Sequence, residues 1–246
     1  MKTSEKNQRQ ARKDAKNVAI RIASNGMRLY KSKFASNESV VYVSDNMSGK
    51  MSGFPSISTS VALNPICQAR AKNPDSICHH CFAMSTVARY TALGVHLAEN
   101  TTVLCKDILP LELLPKFSFA VNMCRFESFG DLNNITQVIN YFNIAKVNAH
   151  VHFALWTKNP KLVALAIEQG NAKPENLNII YSSPMLNTCA DDIFTRYPFI
   201  DKVFTVYDKQ TIARENITIN CGARACASCG LCYFDKVVKI VREQLK

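Results

Sequence analysis

The chain has 246 residues, of which 47% are apolar and 20% charged, and it carries a formal net charge of +11. This length allows one large domain or two small ones, and the composition is normal for a globular protein with a core. The excess of positive charge favours acidic partners, with nucleic acid or a nucleotide as the candidate substrate.

The distribution of apolar residues excludes two classes of protein. No stretch approaches the roughly 18 apolar residues of a membrane-spanning helix, and residues 1–16 lack the apolar region of a signal peptide. The sequence therefore predicts a cytoplasmic protein with no membrane partner. In that reducing compartment the ten cysteines are not expected to form disulfides, and their spacing becomes the main signal.

The N-terminal part is predicted to be a β-rich extension. Residues 1–17 are basic and polar, and we interpret them as a flexible arm or a frayed helix, either solvated or in contact with nucleic acid. Residues 27–34 and 39–44 are predicted to pair as a hairpin, and residues 48–55 to form a loop. Residues 56–63 are predicted to form a strand that Asn64 and Pro65 end.

Helices and strands are predicted to alternate from residue 82 onward, which is typical of βαβ units with a parallel sheet. Helices are predicted over residues 82–106, 132–147, 160–169 and 189–197, with a last basic helix over residues 233–246. Strands are predicted over residues 117–126, 151–156, 177–181, 200–207 and 217–220. The fold class is thus α/β, either a partial or complete (β/α) barrel or an open doubly wound sheet.

The chain is predicted to contain three parts. These are the arm (1–17), a barrel-like domain with a cysteine-containing loop at residues 64–82 (18–220), and a cysteine-rich segment with the C-terminal helix (221–246). In barrels and doubly wound sheets, functional residues gather at the carboxyl ends of the strands. The loop that contains Cys67 and the segments 128–131, 157–159 and 182–184 all follow predicted strands.

The first cysteine group consists of Cys67, Cys78 and Cys81, spaced C-x10-C-x2-C. A C-x2-C turn brings two sulfurs to one side, and a third thiolate completes three corners of a cubane cluster whose last iron stays open to an outside ligand. We therefore predict a [4Fe–4S] cluster here. A zinc site that recruits His79 or His80, and a set of unconnected buried cysteines, are the alternatives.

The second cysteine group consists of Cys221, Cys226, Cys229 and Cys232, and its C-x2-C-x2-C core has the spacing of ferredoxin cluster loops. The sequence predicts a metal site here, either a second [4Fe–4S] cluster or zinc. Structural and electron-transfer roles remain equally open for it. The isolated Cys105, Cys124 and Cys189 are predicted to pack in the core.

Three segments resemble a family of phage and prophage proteins called gene product 88. They are Cys-His-His-Cys-Phe-Ala at 78–83, Arg-Phe-Glu-Ser-Phe-Gly-Asp-Leu at 125–132, and Phe-Ala-Leu-Trp-Thr-Lys-Asn at 153–159. The resemblance covers roughly residues 45–210. It implies a phage-encoded protein that works in the cytoplasm of a bacterial host.

That family is in turn similar to the radical S-adenosylmethionine (SAM) enzymes, which carry a three-cysteine cluster loop after the first strand of a partial (β/α) barrel. The resemblance implies that Gly130 and Asp131, with Ser128 nearby, bind the amino group of SAM. It places Thr157, Lys158 and Ser182 on the same rim. It makes the second cysteine group an auxiliary cluster, with a flavodoxin or ferredoxin as the electron donor.

Two functions remain as hypotheses. The first is a radical SAM-like enzyme that cleaves SAM reductively and abstracts hydrogen from an unidentified substrate. The alternative is a non-enzymatic zinc- or cluster-binding protein that binds nucleic acid, which the net charge, the basic arm and the lysine-rich C-terminus favour. His150 and His152 share one face of a predicted strand, and packing is the favoured interpretation for both.

Overall fold

A six-stranded, all-parallel sheet forms the centre of the protein in the computed structural model, which describes residues 5–245. The strands are β1 (Ser56–Ile57), β2 (Met123–Phe126), β3 (His152–Thr157), β4 (Leu177–Ser182), β5 (Lys202–Tyr207) and β6 (Ile240–Gln244). Their order in the sheet is their order in the chain, with β1 and β6 at the two edges. The predicted parallel α/β fold is confirmed, and the sheet has the sequential winding of a (β/α) barrel without the strand reversal of a doubly wound fold.

Helices connect the strands and flank the sheet. Within the described residues they are α1 (Glu5–Asn25), α2 (Pro65–Arg70), α3 (Phe82–Arg89), α4 (Thr91–Lys106), α5 (Ile135–Val147), α6 (Pro160–Glu168), α7 (Ile193–Arg196), α8 (Lys209–Glu215) and α9 (Cys226–Cys229). Short 3-10 helices form at Gly49–Met51, Ile77–His80 and Leu111–Leu113. No helix in residues 5–245 has the length and apolarity that a membrane crossing requires.

The main core lies between one face of the sheet and the helices α5 and α6. Alternate strand residues such as Phe126 and Phe153 point to this outer face and are fully buried. Their rings stack on each other at 4.8 Å between centroids, and Phe126 also stacks on Tyr141 of α5 at 4.3 Å. The apolar patterns that predict strands and helices in residues 123–168 thus mark the side chains that are buried between the sheet and these helices.

The opposite, inner face of the sheet is covered by chain segments that carry little regular structure. Residues 47–54 and the cysteine-rich segment pack there against Met123, Ala154 and Ile180. Tyr233, which follows the last cysteine, is buried in this second core and meets Phe54 edge-on at 5.8 Å between ring centroids. The second cysteine group therefore belongs to the interior side of the sheet.

The N-terminal arm predicted over residues 1–17 is instead helical from Glu5 onward, and residues 1–4 lie outside the described part. Ala15 and Val18 of α1 are buried against Ala98 of α4. Arg21 forms an ion pair with the buried carboxylate of Glu99. Of the two interpretations of residues 1–17, the flexible arm is wrong from Glu5 onward and the helix agrees with the structure, because the apolar positions of α1 pack on α4.

The predicted β-rich extension is also wrong. Between residues 27 and 55 the chain makes only isolated bridges, such as Tyr30 with Ser39 and Ser44 with Ser56. The strand predicted over residues 56–63 contains only Ser56 and Ile57. Beyond Ile57 the backbone forms hydrogen bonds with side chains instead of with a neighbouring strand. Ser60, for example, donates its backbone N–H to the hydroxyl of Thr101 at 2.7 Å.

Several helices and strands predicted from residue 82 onward begin or end at other residues in the structure. The helix predicted over residues 82–106 is broken at Tyr90 into α3 and α4, since that residue leaves helical geometry at φ −111° and ψ 85°. The strand predicted over residues 117–126 begins only at Met123, and the helix over residues 189–197 shrinks to α7.

The end of the chain differs most from prediction. Residues 240–244 form the strand β6 in place of the predicted helix, and residues 217–220 form no strand. The edge of β5 would otherwise carry unpaired backbone groups. β6 pairs with five of the six β5 residues, from Val203 to Tyr207. Tertiary pairing thus overrides the helical pattern that the sequence offered.

Candidate functional site

The first cysteine group lies on the loop between β1 and α3, at the carboxyl edge of the sheet. Asn64 caps α2, and its side chain accepts the backbone N–H groups of Ile66 at 2.9 Å and Cys67 at 3.1 Å. Pro65 takes the first helical position, so Cys67 is held in the first turn of α2. Cys81 is the residue that precedes α3.

The same loop reaches across the sheet edge to β4. The backbone N–H of Ile77 donates to the carbonyl of Pro184 at 2.9 Å, and the hydroxyl of Ser76 donates to the same carbonyl at 3.0 Å. Ser76 also caps the 3-10 helix by accepting the N–H of Cys78 at 3.2 Å. The loop therefore carries its three cysteines over the carboxyl ends of the strands.

The three thiols of this group interact electrostatically with one another. Burial raises the pKa of Cys67 far above its ordinary value, the charge of Asp131 raises it further, and the charges of Cys81 and Cys78 add to the effect. Burial likewise raises the pKa of Cys81, on which Cys78 also acts. Because the pKa values of Cys67 and Cys81 are raised, a metal centre that binds their thiolates would have to displace protons.

One cation opposes that effect. The ammonium of Lys158 lowers the pKa of both Cys67 and Cys81. Among residues 5–245 it makes no ion pair with a carboxylate. A positive charge that lowers the pKa of Cys67 and Cys81 favours their thiolate forms.

No three His, Cys, Asp or Glu side chains in the described range of 5–245 are arranged to hold a single metal ion. A tetrahedral zinc ion needs four ligands at about 2.0 to 2.3 Å. A cubane cluster makes a different demand on spacing, because each thiolate bonds its own iron atom.

Asp131, a predicted SAM-binding residue, is buried and already bonded within the protein. Its carboxylate accepts the hydroxyl of Thr157 at 2.6 Å and the backbone N–H of Lys158 at 3.0 Å. It also pairs with the guanidinium of Arg70 at 3.5 Å, and that arginine donates to the carbonyl of Lys158 at 2.8 Å. Asp131 therefore holds the ends of β2 and β3 and the helix α2 in position relative to one another.

Gly130 permits a close approach between two strand ends. A β-carbon at this position would lie 2.6 Å from the carbonyl oxygen of Thr59 and 2.7 Å from a carboxylate oxygen of Glu127. Both distances are shorter than any real carbon contact, so only glycine fits. The glycine is required by packing, whatever else the loop binds.

The two predicted serines lie at the ends of β2 and β4 and are both buried. The hydroxyl of Ser128 lies 2.6 Å from that of Ser56, and its backbone N–H donates to Ser58 at 2.9 Å. Ser182 occupies the last position of β4. Of the predicted residues, Asp131, Thr157 and Lys158 are brought to the first cysteine group, whereas Ser128 lies on the inner side beside Met51.

The sequence reasoning missed Glu127 as a residue of the site. It is buried, its backbone has a positive φ of 58°, and its carboxylate accepts hydrogen bonds from Tyr141 at 2.5 Å, Gln137 at 2.6 Å and Thr59 at 2.9 Å. Burial raises the pKa of Glu127 to about 7. The sequence does carry one signal for this residue, because Glu127 is an acidic residue that directly follows the strand β2.

The second cysteine group is held against the inner face by backbone bonds. Cys221 donates its N–H to the carbonyl of Arg242 in β6 at 3.0 Å, and Cys226 and Cys229 bound the single turn α9. The side-chain amide of Asn178 in β4 donates to the carbonyl of Cys232 at 3.0 Å. All four cysteines are thus fixed by neighbours from different strands or by a common helical turn.

The thiols of this group also act on one another. The pKa of Cys232 is raised to about 12, mainly by burial and then by Cys221 and Cys226. Burial raises the pKa of Cys221 and of Cys226 too, and the charge of Cys229 adds to both. Of these four residues, Cys226 and Cys232 pack against the inner cluster that contains Tyr233, on the face of the sheet opposite α5. Their prediction as a metal site stays a prediction.

No family model, curated protein or solved structure matches this chain. The resemblance to the gene product 88 family therefore rests on the three sequence motifs alone.

We expect Gly130→Ala to destabilise the metal-free protein by roughly 1 to 3 kcal/mol, because the added methyl group meets backbone that cannot retreat. Chemical denaturation followed by circular dichroism measures the change. Gly222→Ala is the matched control, since its β-carbon would meet nothing within 4 Å. Equal stabilities of the two variants would contradict the packing role.

Glu127 is expected to make stability fall as pH rises. Its folded-state pKa of about 7 exceeds the ordinary 4.5, so the folded chain binds more protons than the unfolded chain within that window. The contribution is largest below pH 4.5 and declines by up to about 3 kcal/mol as the pH rises to 7 and beyond.

The variant Glu127→Gln removes this titration. Unfolding free energies of the metal-free parent and variant, measured from pH 5 to 8, should differ in slope, with the parent falling more steeply. The comparison isolates Glu127 from His96, whose pKa burial lowers and whose effect on stability has the opposite sign. Parallel curves would show that Glu127 does not titrate in this range.

Proposed function

We propose that this chain is an iron–sulfur protein of the radical SAM type. In this proposal Cys67, Cys78 and Cys81 hold a [4Fe–4S] cluster that is used to cleave SAM and to modify a substrate not yet identified. The observation that supports it is the placement of all three cysteines on one loop, which is anchored to Pro184 over the carboxyl edge of a parallel sheet. Lys158 follows β3 at the same edge.

The donor set supports a cluster with one open iron. Three thiolates leave the fourth iron of a cubane without a protein ligand. Within residues 5–245, His79 and His80 do not join the cysteines in a group arranged to hold a single metal ion. The zinc alternative at this loop is therefore less well supported.

The chemistry that such a cluster supplies when bound is one-electron cleavage of the SAM sulfonium, to methionine and a 5′-deoxyadenosyl radical that takes a hydrogen atom from the substrate. Lys158 supplies positive charge beside the thiolates. Asp131 holds the backbone of Lys158 and the side chain of Arg70, so both cations stay at the sheet edge. Gly130 allows the loop to pack, and the hydroxyls of Ser128 and Ser182 are polar groups available on the inner rim.

The electron has to come from outside the chain, and a flavodoxin or ferredoxin is the proposed donor. Phe82 follows Cys81 directly and is 64% exposed, with its ring 6.0 Å from that of Phe129. The cluster loop is therefore close to the protein surface, where a donor can approach. In the same proposal the second cysteine group holds an auxiliary metal–thiolate centre, a [4Fe–4S] cluster or zinc.

A second candidate function has its own observation. Helix α1 exposes Lys6, Arg9, Lys13 and Lys16 to solvent, which gives the molecule a basic surface suited to phosphates. This favours the non-enzymatic alternative, a zinc- or cluster-binding protein that binds nucleic acid. Such a protein would bind oligonucleotides with an affinity that falls steeply as the salt concentration rises.

The test of the first function starts from anaerobically purified protein. We expect a brown protein with broad absorption near 400 nm, and we expect 5′-deoxyadenosine to form after reduction in the presence of SAM. Cys81→Ala should abolish the product and lower the iron content by about one cluster, because the cubane loses one of three thiolates. Iron and sulfide analysis and chromatography of the nucleoside measure these changes.

Cys189→Ser is the matched control, because Cys189 lies outside both groups and packs near Thr205. It should keep the iron content and the product of the parent. A brown parent that never yields 5′-deoxyadenosine would reject the enzyme. A colourless protein that contains zinc and binds oligonucleotides would favour the second candidate.

A further inference from the structure

Four exposed rings lie around the amino end of β3, at the edge of the sheet opposite the first cysteine group. Phe119 lies in the turn before β2 and is 92% exposed, with its ring 4.8 Å from that of His150. His152 begins β3, and its ring lies 4.8 Å from that of Phe234. Both histidines are exposed and two residues apart, so the two ring pairs are joined by about 7 Å of backbone.

The turn that carries Phe119 is held by hydrogen bonds. The backbone N–H of Ser118 donates to the carbonyl of Phe34 at 2.9 Å, and the N–H of Val121 donates to the carbonyl of Ser118 at 3.0 Å. The Nε2 of His150 lies 3.2 Å from the same Ser118 carbonyl oxygen, which ties the imidazole to the turn. The first ring pair is therefore presented to solvent in a fixed orientation.

The second ring pair is fixed by the segment that follows α9. Gly230 ends α9 at a φ of 63°, and a β-carbon there would lie 2.7 Å from the Phe234 ring. The glycine therefore lets this ring pack closely on the end of the helix. Asp235 then accepts the backbone N–H groups of Val237 at 2.9 Å and Val238 at 2.7 Å, which shapes the following turn.

Positive charge lies beside these rings. Lys116 precedes Phe119 by three residues, and Lys236 follows Phe234 by two. The ammonium of Lys236 lies 3.3 Å from the side-chain oxygen of Asn178, whose amide nitrogen donates to the carbonyl of Tyr233 at 3.0 Å. This lysine is therefore held next to the second ring pair.

The acidic groups of the same edge are mostly occupied. Asp201 pairs with Lys173 at 2.8 Å, and Asp235 lies 3.8 Å from Lys202. One further acidic side chain, Glu175, is exposed in the loop before β4. Three lysines of this edge are exposed and, in the described range 5–245, pair with no carboxylate; they are Lys116, Lys236 and Lys239. The surface around the rings thus has an excess of positive charge.

Exposed rings beside unpaired cations are typical of surfaces that bind single-stranded nucleic acid. Free bases stack on Phe, Tyr, Trp and His side chains, while cations contact the phosphates. Rings whose positions are already fixed lose little conformational freedom when a base stacks on them. A duplex offers phosphates without free base faces, so it would use the lysines and leave the rings unused.

We infer that these four rings form a stacking surface for single-stranded RNA or DNA, and that the three lysines contact its phosphates. The surface requires neither cysteine group and lies at the opposite edge of the sheet from Lys158. It is also separate from the basic face of α1, a helix that packs on α4. The inference therefore goes beyond the proposed function.

The test measures binding of the full chain to a fluorescein-labelled oligouridylate of about 12 nucleotides, within the length that single-strand-binding domains cover. Phe119→Ala and Phe234→Ala should each weaken binding by roughly 5-fold to 150-fold, which is the effect of losing one stacked base. The parent should bind this strand more tightly than a duplex of equal length. Fluorescence anisotropy is the measurement.

Three further variants make the result specific for stacking. Phe119→Tyr keeps a ring and should bind within about 3-fold of the parent, whereas Phe119→Leu keeps only apolar surface and should bind as weakly as Phe119→Ala. Tyr90→Ala removes a ring that is 56% exposed between α3 and α4, and it should leave the affinity unchanged. If Phe234→Ala does not fold by circular dichroism, the Phe119 series decides, because that side chain is almost fully exposed.

The phosphate contacts have their own measurement. Lys236→Ala should reduce the slope of log affinity against log salt concentration by about 0.7, the contribution of one phosphate contact to a single strand. An unchanged slope, together with unchanged affinity in the Phe119 variants, would overturn the inference.

Other outcomes would overturn it as well. They are a parent that binds no single strand or prefers the duplex, and a Phe119→Leu variant that binds like the parent, as expected for a surface that takes an acidic protein. Binding that is lost in the double variant Arg9→Ala and Lys13→Ala but kept in Phe119→Ala would place the contact on α1. The proposed function is judged separately, by 5′-deoxyadenosine formation, so either can fail without the other.

Discussion

The buried carboxylate of Asp131 is the contact on which the arrangement of the carboxyl edge depends. It receives donors from the end of β3 and from α2 while it sits at the end of β2. Hydrogen bonds and the ion pair with Arg70 replace the hydration that this carboxylate loses on burial. Without it, neither Lys158 nor the helix that carries Cys67 would have a fixed place beside the other thiols.

The sequence predicted the sheet because its signals were local. Short, mostly apolar runs in residues 151–156 and 177–181 alternate with helical patterns, and each pattern can be recognised from its own segment. The cysteine groups were visible for the same reason. C-x2-C spacing and the cap formed by Asn64 and Pro65 are properties of a few consecutive residues.

What the sequence could not predict depends on distant partners. Residues 240–244 carry a helical pattern, yet the free edge of β5 makes them a strand. Asp131 looked like a ligand-binding residue, because nothing in its own segment shows that Thr157 and Arg70 already occupy its oxygens. Met51 and Tyr233 are far apart in the chain, and only the packing of the C-terminal segment on the inner face brings them into one cluster.

The cover of the inner face has a consequence for the order in which the protein matures. Part of that cover comes from Cys226, Cys232 and Tyr233, which follow β2 to β5 in the chain. Before this segment folds back, the inner sides of β2, β3 and β4 lack that part of their cover and expose more apolar surface to chaperones. The loop with Cys67, Cys78 and Cys81 can gain its anchor at Pro184 earlier in synthesis. The carboxyl edge of the sheet can therefore be organised before its inner face is fully covered.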